Sequence, residues 1–192
     1  DLRNKSDDKI IKLFRIGSIG PGHGLISLVK SFKYLPKNYH LILCGKIVDD
    51  KYFNNIKKKI IKKKISHQIQ IINSPKRKKW ENLLSNSDIG VALYENVNFS
   101  HKFMVGASQK LNCYIAAGLP VIAFKDKQFL RFHKKHKCCL LINGKNPKNM
   151  ANTILRISKN KKMFKNLKKN SILTFQKYYN FENEIKKIEK YL

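Results

Sequence analysis

The sequence lacks any apolar run near the ~18 residues that a membrane-spanning helix needs. Its charged first residues lead into no apolar segment of the secretory-signal kind, which favours a cytoplasmic location. Internal repeats and flexible internal linkers are also missing. With 42% hydrophobic residues, the 192 residues are enough for one well-buried domain and exclude a disordered tail. The chain does not begin with Met, and we expect it to be a piece of a longer protein.

Cysteine is scarce, and its placement argues against a zinc site. The four cysteines, Cys44, Cys113, Cys138 and Cys139, form no C-x-x-C pair and have no His at metal-ligand spacing. Cys138 and Cys139 stand in an apolar run that predicts a buried strand. We therefore expect reduced thiols, as is usual in cytosolic proteins, and a function that requires no metal or other cofactor.

Acidic residues and arginine are both few in a very basic chain. Lysine and arginine number 41 against 12 aspartates and glutamates, which gives a formal net charge of +29. Arginine, whose planar fork suits phosphate and guanine, makes up only five of the 41. Lys, Ile and Asn have AT-rich codons, so genome composition accounts for much of the charge. Peripheral attachment to the anionic inner face of a membrane stays open, and nucleic acid is the least favoured partner.

Strand-like and helix-like patterns alternate along the whole chain. Apolar runs predict strands over 11–17, 39–44, 68–72, 88–94, 119–124 and 138–142. Helical spacing predicts helices over 24–34, 54–65 and 106–117, around Trp80, and over 147–158, 161–178 and 181–192. The Lys-rich segment 54–65 continues a face formed by Phe53, Ile56 and Ile60, as in an ordinary amphipathic helix. The alternation predicts an α/β fold: a Rossmann-like parallel sheet of about six strands, with helices on both faces and C-terminal helices closing the domain.

A glycine-rich loop between the first strand and the first helix is one candidate site. Gly17, Gly20, Gly22 and Gly24 let backbone N–H groups approach a phosphate, and the start of the helix favours an anion. The spacing matches neither the dinucleotide G-x-G-x-x-G motif nor the G-x-x-x-x-G-K-[ST] P-loop, so a tight turn is the alternative. His23 is placed either to donate to an anion or simply to face solvent.

Lys110, on the helix predicted over 106–117, is a second candidate. Helical spacing puts Lys110, Cys113 and Tyr114 on one side, near the strand tips where parallel sheets bind ligands. A lysine there complements a second phosphate or a sugar hydroxyl. In so basic a chain, a solvated surface lysine is the alternative.

The segment 107–122 resembles the sugar-nucleotide motif of GT-B glycosyltransferases of the family 4 type, P-[SN]-K-L-[FL]-E-Y-[MIL]-A-A-G-[LK]-P-V-[IV]. The matching residues are Lys110, Leu111, Tyr114, Ala116, Ala117, Gly118, Leu119, Pro120, Val121 and Ile122. Segments 16–19, 23–25, 41–45 and 83–91 also resemble family blocks, so the similarity covers nearly the whole chain. It identifies residues 1–192 as a single donor-binding C-terminal domain, with the acceptor-binding N-terminal domain absent from this chain.

The resemblance implies a retaining-type glycosyltransferase that moves a sugar from a nucleoside-diphosphate sugar to a glycan or lipid-linked acceptor in cell-surface polysaccharide synthesis. It also implies where the donor would bind. The diphosphate would contact Gly17, Ser18, Gly22, His23, Gly24, Gly106, Ala107 and Lys110, the base Asn73, and the ribose Cys113 and Tyr114. Catalytic residues stay unassigned.

Several family site residues are replaced in this chain. The Arg and Lys that hold the donor diphosphate map to Ser18 and His23. The glutamates expected near the ribose and the sugar map to Cys113 and Val105, and a thiol is a weak hydrogen-bond partner. These losses keep open a degenerate, non-catalytic binding or scaffold domain as the alternative function.

Overall fold

The chain folds around six parallel strands, which confirms the predicted Rossmann-like α/β architecture. In this computed structural model the described residues are 9–95, 97 and 99–189. The strands are β1 (Ile11–Ile16), β2 (Tyr39–Gly45), β3 (Ile69–Asn73), β4 (Ile89–Ala92), β5 (Val121–Phe124) and β6 (Cys139–Ile142). Their order is β3-β2-β1-β4-β5-β6, so the winding reverses between β1 and β4. Ligands of doubly wound sheets bind beyond the carboxyl ends of the strands at such a reversal.

Helices connect successive strands, since parallel neighbours need crossover connections. The connecting helices are α1 (Leu25–Ser31), α2 (Asp50–Lys62), α3 (Arg77–Ser85), α4 (Met104–Ala107), α5 (Gln109–Ala116) and α6 (Lys127–His136). After β6 come α7 (Pro147–Lys159), α8 (Lys161–Thr174) and α9 (Phe181–Ile188). In the described part of the chain, no helix combines the length and apolar character that a membrane crossing demands.

Side-chain alternation along β1 separates two hydrophobic clusters. Leu13 faces a cluster that includes residues of α1, α2 and α7, whereas Phe14 faces one that includes residues of α5 and α6. Helix α8 contributes Leu167 to the first cluster. Further along α8, the Ser171 hydroxyl donates to the Leu119 carbonyl at 2.7 Å, next to the second cluster. This C-terminal helix therefore ties the two helical layers together.

Helix α2 has the amphipathic form predicted from its lysines. Ile56 and Ile60 are buried in the first hydrophobic cluster, while Lys57 and Lys58 are exposed. The helix begins at Asp50 because the Asp49 side chain accepts a hydrogen bond from the Tyr52 N–H at 2.8 Å, as an N-cap does. It therefore starts earlier than the apolar spacing alone predicted.

Three helices differ from the sequence predictions, and capping explains two of the differences. Sequence patterns predicted no helix between β5 and β6, but α6 forms there with Phe129 and Phe132 buried and Asp126 accepting from the Phe129 N–H. The helix predicted over 106–117 begins at Gln109, because Gly106 has a φ of 93° and Ser108 caps the first turn. The predicted helix 161–178 likewise ends at Thr174, followed by a π-helical turn.

The cysteines are free thiols, as predicted. Cys44, Cys138 and Cys139 are buried, and burial raises the pKa of Cys138 to about 11. These buried thiols therefore stay protonated at neutral pH, which fits a packing role rather than a reactive one.

Candidate phosphate-binding site

The loop Gly17–Gly24 follows β1 at the carboxyl edge of the sheet, where the winding reverses. Gly17 N–H donates to the Cys44 carbonyl at 2.9 Å, and Ile19 N–H donates to the Lys46 carbonyl at 2.8 Å. A β-carbon at Gly45 would collide with the Gly17 carbonyl. The end of β2 therefore fixes the first half of the loop through backbone contacts that only glycine permits at position 45.

The second half of the loop depends on left-handed glycines. Gly22 and Gly24 have φ values of 82° and 62°. A β-carbon at Gly24 would also lie 2.9 Å from the Phe124 ring, and one at Gly22 would lie 2.7 Å from the His101 ring. These glycines are thus required by the tight turn itself. What the turn can bind depends on the side chains around it.

Lys110 extends from α5 to the start of this loop. A β-carbon at Gly17 would lie 3.4 Å from Lys110 Cε and 3.7 Å from its Nζ. The ammonium also lies 4.5 Å from the centre of the Tyr94 ring, within cation–π range. Burial, and then the charge of Arg15, lower the pKa of Lys110 well below its ordinary value. The structure therefore brings together two predicted site elements, Lys110 and the glycine loop.

Arg15 is a functional candidate that the sequence patterns missed. It lies inside β1, is 1% exposed, and donates from Nη1 to the Gly17 carbonyl beneath the loop. Its Nη2 is buried without a hydrogen-bond partner among the described residues. The predicted first strand included this position. The one sequence feature that could have identified Arg15 is its charge within a largely apolar run.

His23, near the end of the loop, lies in a group of rings. Its ring centre is 5.2 Å from that of His101 and 6.2 Å from that of Tyr94. Burial lowers the pKa of His23 to about 3, with further lowering from the charges of Lys110, Arg15 and His101. The imidazole is therefore neutral at pH 7, and its buried Nδ1 has no hydrogen-bond partner in the described part of the chain.

The positive charges of this cluster are not balanced by carboxylates. Glu95 is the acidic residue at the loop, where its N–H donates to the Gly22 carbonyl at 3.0 Å, but its carboxylate pairs with Lys145 at 2.7 Å. No ion pair to Arg15 or Lys110 forms among the residues that the structure describes. Unpaired buried cations are costly, so a bound anion would stabilise this arrangement.

Tyr114 holds the elements of the site in place from below. It is fully buried, and its hydroxyl accepts from the Ile16 N–H at 3.0 Å and donates to the Val91 carbonyl at 3.2 Å. The helical spacing that grouped Tyr114 with Lys110 is thus observed, but the Tyr114 side chain faces the sheet. It links α5 to both strands at the reversal.

The kinked turn before α5 presents backbone to the same edge of the sheet. Gly106 and Ala107 are exposed, and Val105 and Gly106 depart from helical geometry. Ser108 then accepts from the Leu111 N–H at 3.3 Å and forms a hydrogen bond with the Tyr94 hydroxyl. These contacts fix the start of α5 against the end of β4, and with it the base of the Lys110 side chain.

Asn73 and Cys113 lie further from the cation cluster. Asn73 ends β3 opposite Gly45 and is exposed, although its side-chain oxygen already accepts from the Ile47 N–H at 3.2 Å. Cys113 on α5 is partly buried, and this burial, followed by the charge of Glu81 on α3, raises its pKa. Ser18 is exposed on the loop. Of the predicted base and ribose contacts, Asn73 is therefore exposed at the end of β3 and Cys113 is partly buried on α5, whereas Tyr114 is fully buried.

A cavity of about 730 Å³ lies elsewhere, at the amino ends of the strands. Its lining includes Lys9, Ile11, Tyr39 and Asp88, which come at or just before strand starts. The chemistry of the carboxyl edge, with its buried unpaired cations, has no counterpart there, since the lysines of this cavity are surface residues.

The sequence matches one family model. The model described as glycosyl transferases group 1 matches residues 2–174. No curated protein sequence matches this chain.

Solved structures of low sequence identity share the fold. HepE from Anabaena, in complex with UDP and glucose, has a TM-score of 0.78 at 13% identity, with 96% of this chain and 49% of that chain covered. Sucrose-phosphate synthase from Thermosynechococcus elongatus has 0.77 at 16% identity, covering 94% and 44%. The C-terminal domain of LpcC, a glycosyl transferase group 1 family protein from Francisella tularensis, has 0.72 at 14% identity, covering 90% and 88%. The chain thus spans about half the length of HepE and of the synthase.

Proposed function

Because the chain belongs to the glycosyl transferases group 1 family, we propose that it is the donor-binding half of a glycosyltransferase that uses a nucleoside-diphosphate sugar. The acceptor half would be an N-terminal domain outside this chain, in line with the half-length coverage of HepE. The acceptor would be a glycan or lipid-linked sugar in cell-surface polysaccharide synthesis.

One observation carries this proposal: buried Arg15 and partly buried Lys110 converge on the glycine loop, and no carboxylate among the described residues pairs with either. Lys110 packs against Gly17, and Arg15 donates a hydrogen bond to the Gly17 carbonyl. The loop sits where the winding reverses between β1 and β4, the usual ligand position in such sheets. A diphosphate is the anion that a nucleotide sugar would place there.

The proposed chemistry is mainly electrostatic. When the sugar leaves the donor, negative charge accumulates on the departing nucleoside diphosphate, and fixed cations in a partly dry site stabilise it. Lys110 supplies such a charge directly. The same positive potential opposes a divalent metal at this point, so we propose transfer without one. Asn73 would meet the base, and residues near Cys113 the ribose.

Isothermal titration with uridine, guanosine and adenosine diphosphate sugars tests donor binding by this chain. We expect heat of binding for at least one of them at millimolar concentration or below, unchanged by EDTA. The corresponding nucleosides, which lack phosphates, are the matched controls and should bind far more weakly. Absence of heat with every diphosphate sugar at millimolar concentration would contradict the proposal.

A degenerate, non-catalytic domain is a second candidate, which the substituted site residues favour. Ser18 and His23 stand where the family pattern has cations, and Cys113 stands where it has a carboxylate. Activity assays of the longer parent protein separate the two candidates. Turnover that appears only after Ser18→Arg and Cys113→Glu would support the degenerate domain, and turnover by the native protein would contradict it.

We also propose that the protein works at the inner face of a membrane, attached through surface charge. Exposed lysines such as Lys57 and Lys58 on α2 support this, since each basic residue near an anionic surface contributes about 1 kcal/mol. Co-sedimentation with phosphatidylserine vesicles should fall steeply with salt. Equal recovery with neutral vesicles would contradict it.

A further inference from the structure

We propose that Arg15, buried inside β1, takes over the anion-holding role that the family pattern gives to cations at positions 18 and 23. The inference rests on the proposed function only in naming the anion as the donor diphosphate. Arg15 would act as a positioning residue for the loop and as a fixed charge beneath it.

The first observation is that Arg15 is buried without full compensation. It is 1% exposed, its Nη2 has no hydrogen-bond partner among the described residues, and no described carboxylate pairs with it. A buried guanidinium in this condition weakens the folded state. Binding sites commonly contain groups that lower the stability of the folded protein. A destabilising Arg15 is therefore consistent with a role in binding.

The second observation is the direction in which Arg15 holds the loop. Its Nη1 donates to the Gly17 carbonyl. In a trans peptide the carbonyl and the next N–H point in opposite directions, so the Ser18 N–H faces away from Arg15. The residue that carries this N–H, Ser18, is exposed. Arg15 thus orients a backbone donor toward an incoming phosphate.

The third observation is that the charge of Arg15 reaches the predicted site residues. Together with burial, it lowers the pKa of both Lys110 and His23. A phosphate bound between Lys110 and the loop would therefore meet the combined field of Arg15 and Lys110. Ser18 and His23, neutral at pH 7, need not supply it.

The experiment compares Arg15→Met and Arg15→Lys with the unaltered chain. Pyrophosphate, UDP and uridine are the probes, and exposed Arg131→Met is the matched control for loss of an arginine. We expect Arg15→Met to weaken pyrophosphate and UDP binding at least about tenfold, since a charged interaction is lost. Arg15→Lys should recover part of this, while weak uridine binding and the Arg131→Met variant should stay unchanged.

Thermal unfolding separates a role in binding from a role in folding. The melting temperature of Arg15→Met should fall by no more than about 4 °C, because only one hydrogen bond of an otherwise unpaired group is lost. Unchanged pyrophosphate affinity would overturn the proposal, as would equal loss of uridine binding with a much lower melting temperature. If Arg15→Met does not fold, Arg15→Gln replaces it, and equal affinity of Arg15→Gln and Arg15→Lys would overturn the proposal.

The probes also separate this inference from the proposed function. Binding of pyrophosphate but of no nucleoside diphosphate, with a loss in Arg15→Met, would keep the role of Arg15 and reject the donor. Binding of UDP equally by the unaltered chain and Arg15→Met would keep the donor and reject Arg15. Failure of both probes with the unaltered chain would reject both.

Discussion

Removing the Tyr114 hydroxyl should destabilise the protein more than its small volume implies. Tyr114→Phe keeps the ring in the second hydrophobic cluster, packed edge-on against Phe14 at 6.4 Å. The substitution deletes only the oxygen that accepts from the Ile16 N–H and donates to the Val91 carbonyl. The buried Val91 carbonyl and the partly buried Ile16 N–H would then both lose this partner.

The magnitude follows from those two groups. A buried polar group left unpaired costs about 1–3 kcal/mol, so losing the hydroxyl should reduce the free energy of unfolding by about 2–4 kcal/mol. In a protein of this length, that corresponds to a melting temperature lower by roughly 5–15 °C. Phosphate affinity should fall as well, because Ile16 directly precedes the loop.

Urea unfolding followed by circular dichroism measures the difference directly. The matched control is Tyr34→Phe, at a tyrosine that is 48% exposed, and it should change the free energy of unfolding by less than about 0.5 kcal/mol. The slope with urea should be the same for all three proteins. A Tyr114→Phe protein as stable as the Tyr34→Phe control would refute the reasoning.

Three further predictions concern the loop. The pKa of His23 is lowered from 6.5 to about 3. Between these values the unfolded chain takes up the His23 proton before the folded one does, so the free energy of unfolding should be highest above pH 6.5 and decline toward pH 3. In acid unfolding curves His23→Gln should flatten this decline, and a result equal to that of exposed His67→Gln would contradict it. With its pKa lowered to about 3, His23 stays neutral at both pH 5.5 and pH 7.5, so UDP should bind no more tightly at pH 5.5, and tighter binding there in calorimetry would count against this. Gly24→Ala should cost about 2–4 kcal/mol of unfolding free energy because its β-carbon would lie 2.9 Å from the Phe124 ring at a left-handed φ, and a loss under about 1 kcal/mol would disprove that packing.

The fold was predictable because its core consists of short apolar runs separated by turns. Short apolar runs such as Leu41–Cys44 are typical of buried parallel strands. Helix α6 was not predicted, because Phe129 and Phe132 alone form too short an apolar pattern within a basic segment. Asp126 is recognisable as an N-cap only once that helix is known. Capping also set the starts of α2 and α5, which apolar spacing does not register.

The site was predictable only in part. The motif resemblance identified Lys110 and the glycine loop, and the structure brings them into contact. Helical spacing could not show that Tyr114 faces the sheet while Lys110 faces the loop. Two residues on one side of a helix can still extend their side chains in different directions. Arg15 escaped prediction because a strand pattern says which face a residue lies on, not what lies above it. Only the three-dimensional contact with the Gly17 carbonyl reveals its position.

The affinity of UDP for Lys110→Met tests the central claim most directly. Exposed Lys58→Met is the matched control, and uridine is the probe without phosphate. If the cations at the glycine loop bind the donor diphosphate, Lys110→Met should weaken UDP binding by about 10- to 150-fold, the equivalent of one charge-assisted hydrogen bond, and leave uridine unaffected. UDP binding that is equally strong in Lys110→Met and Lys58→Met would contradict the account.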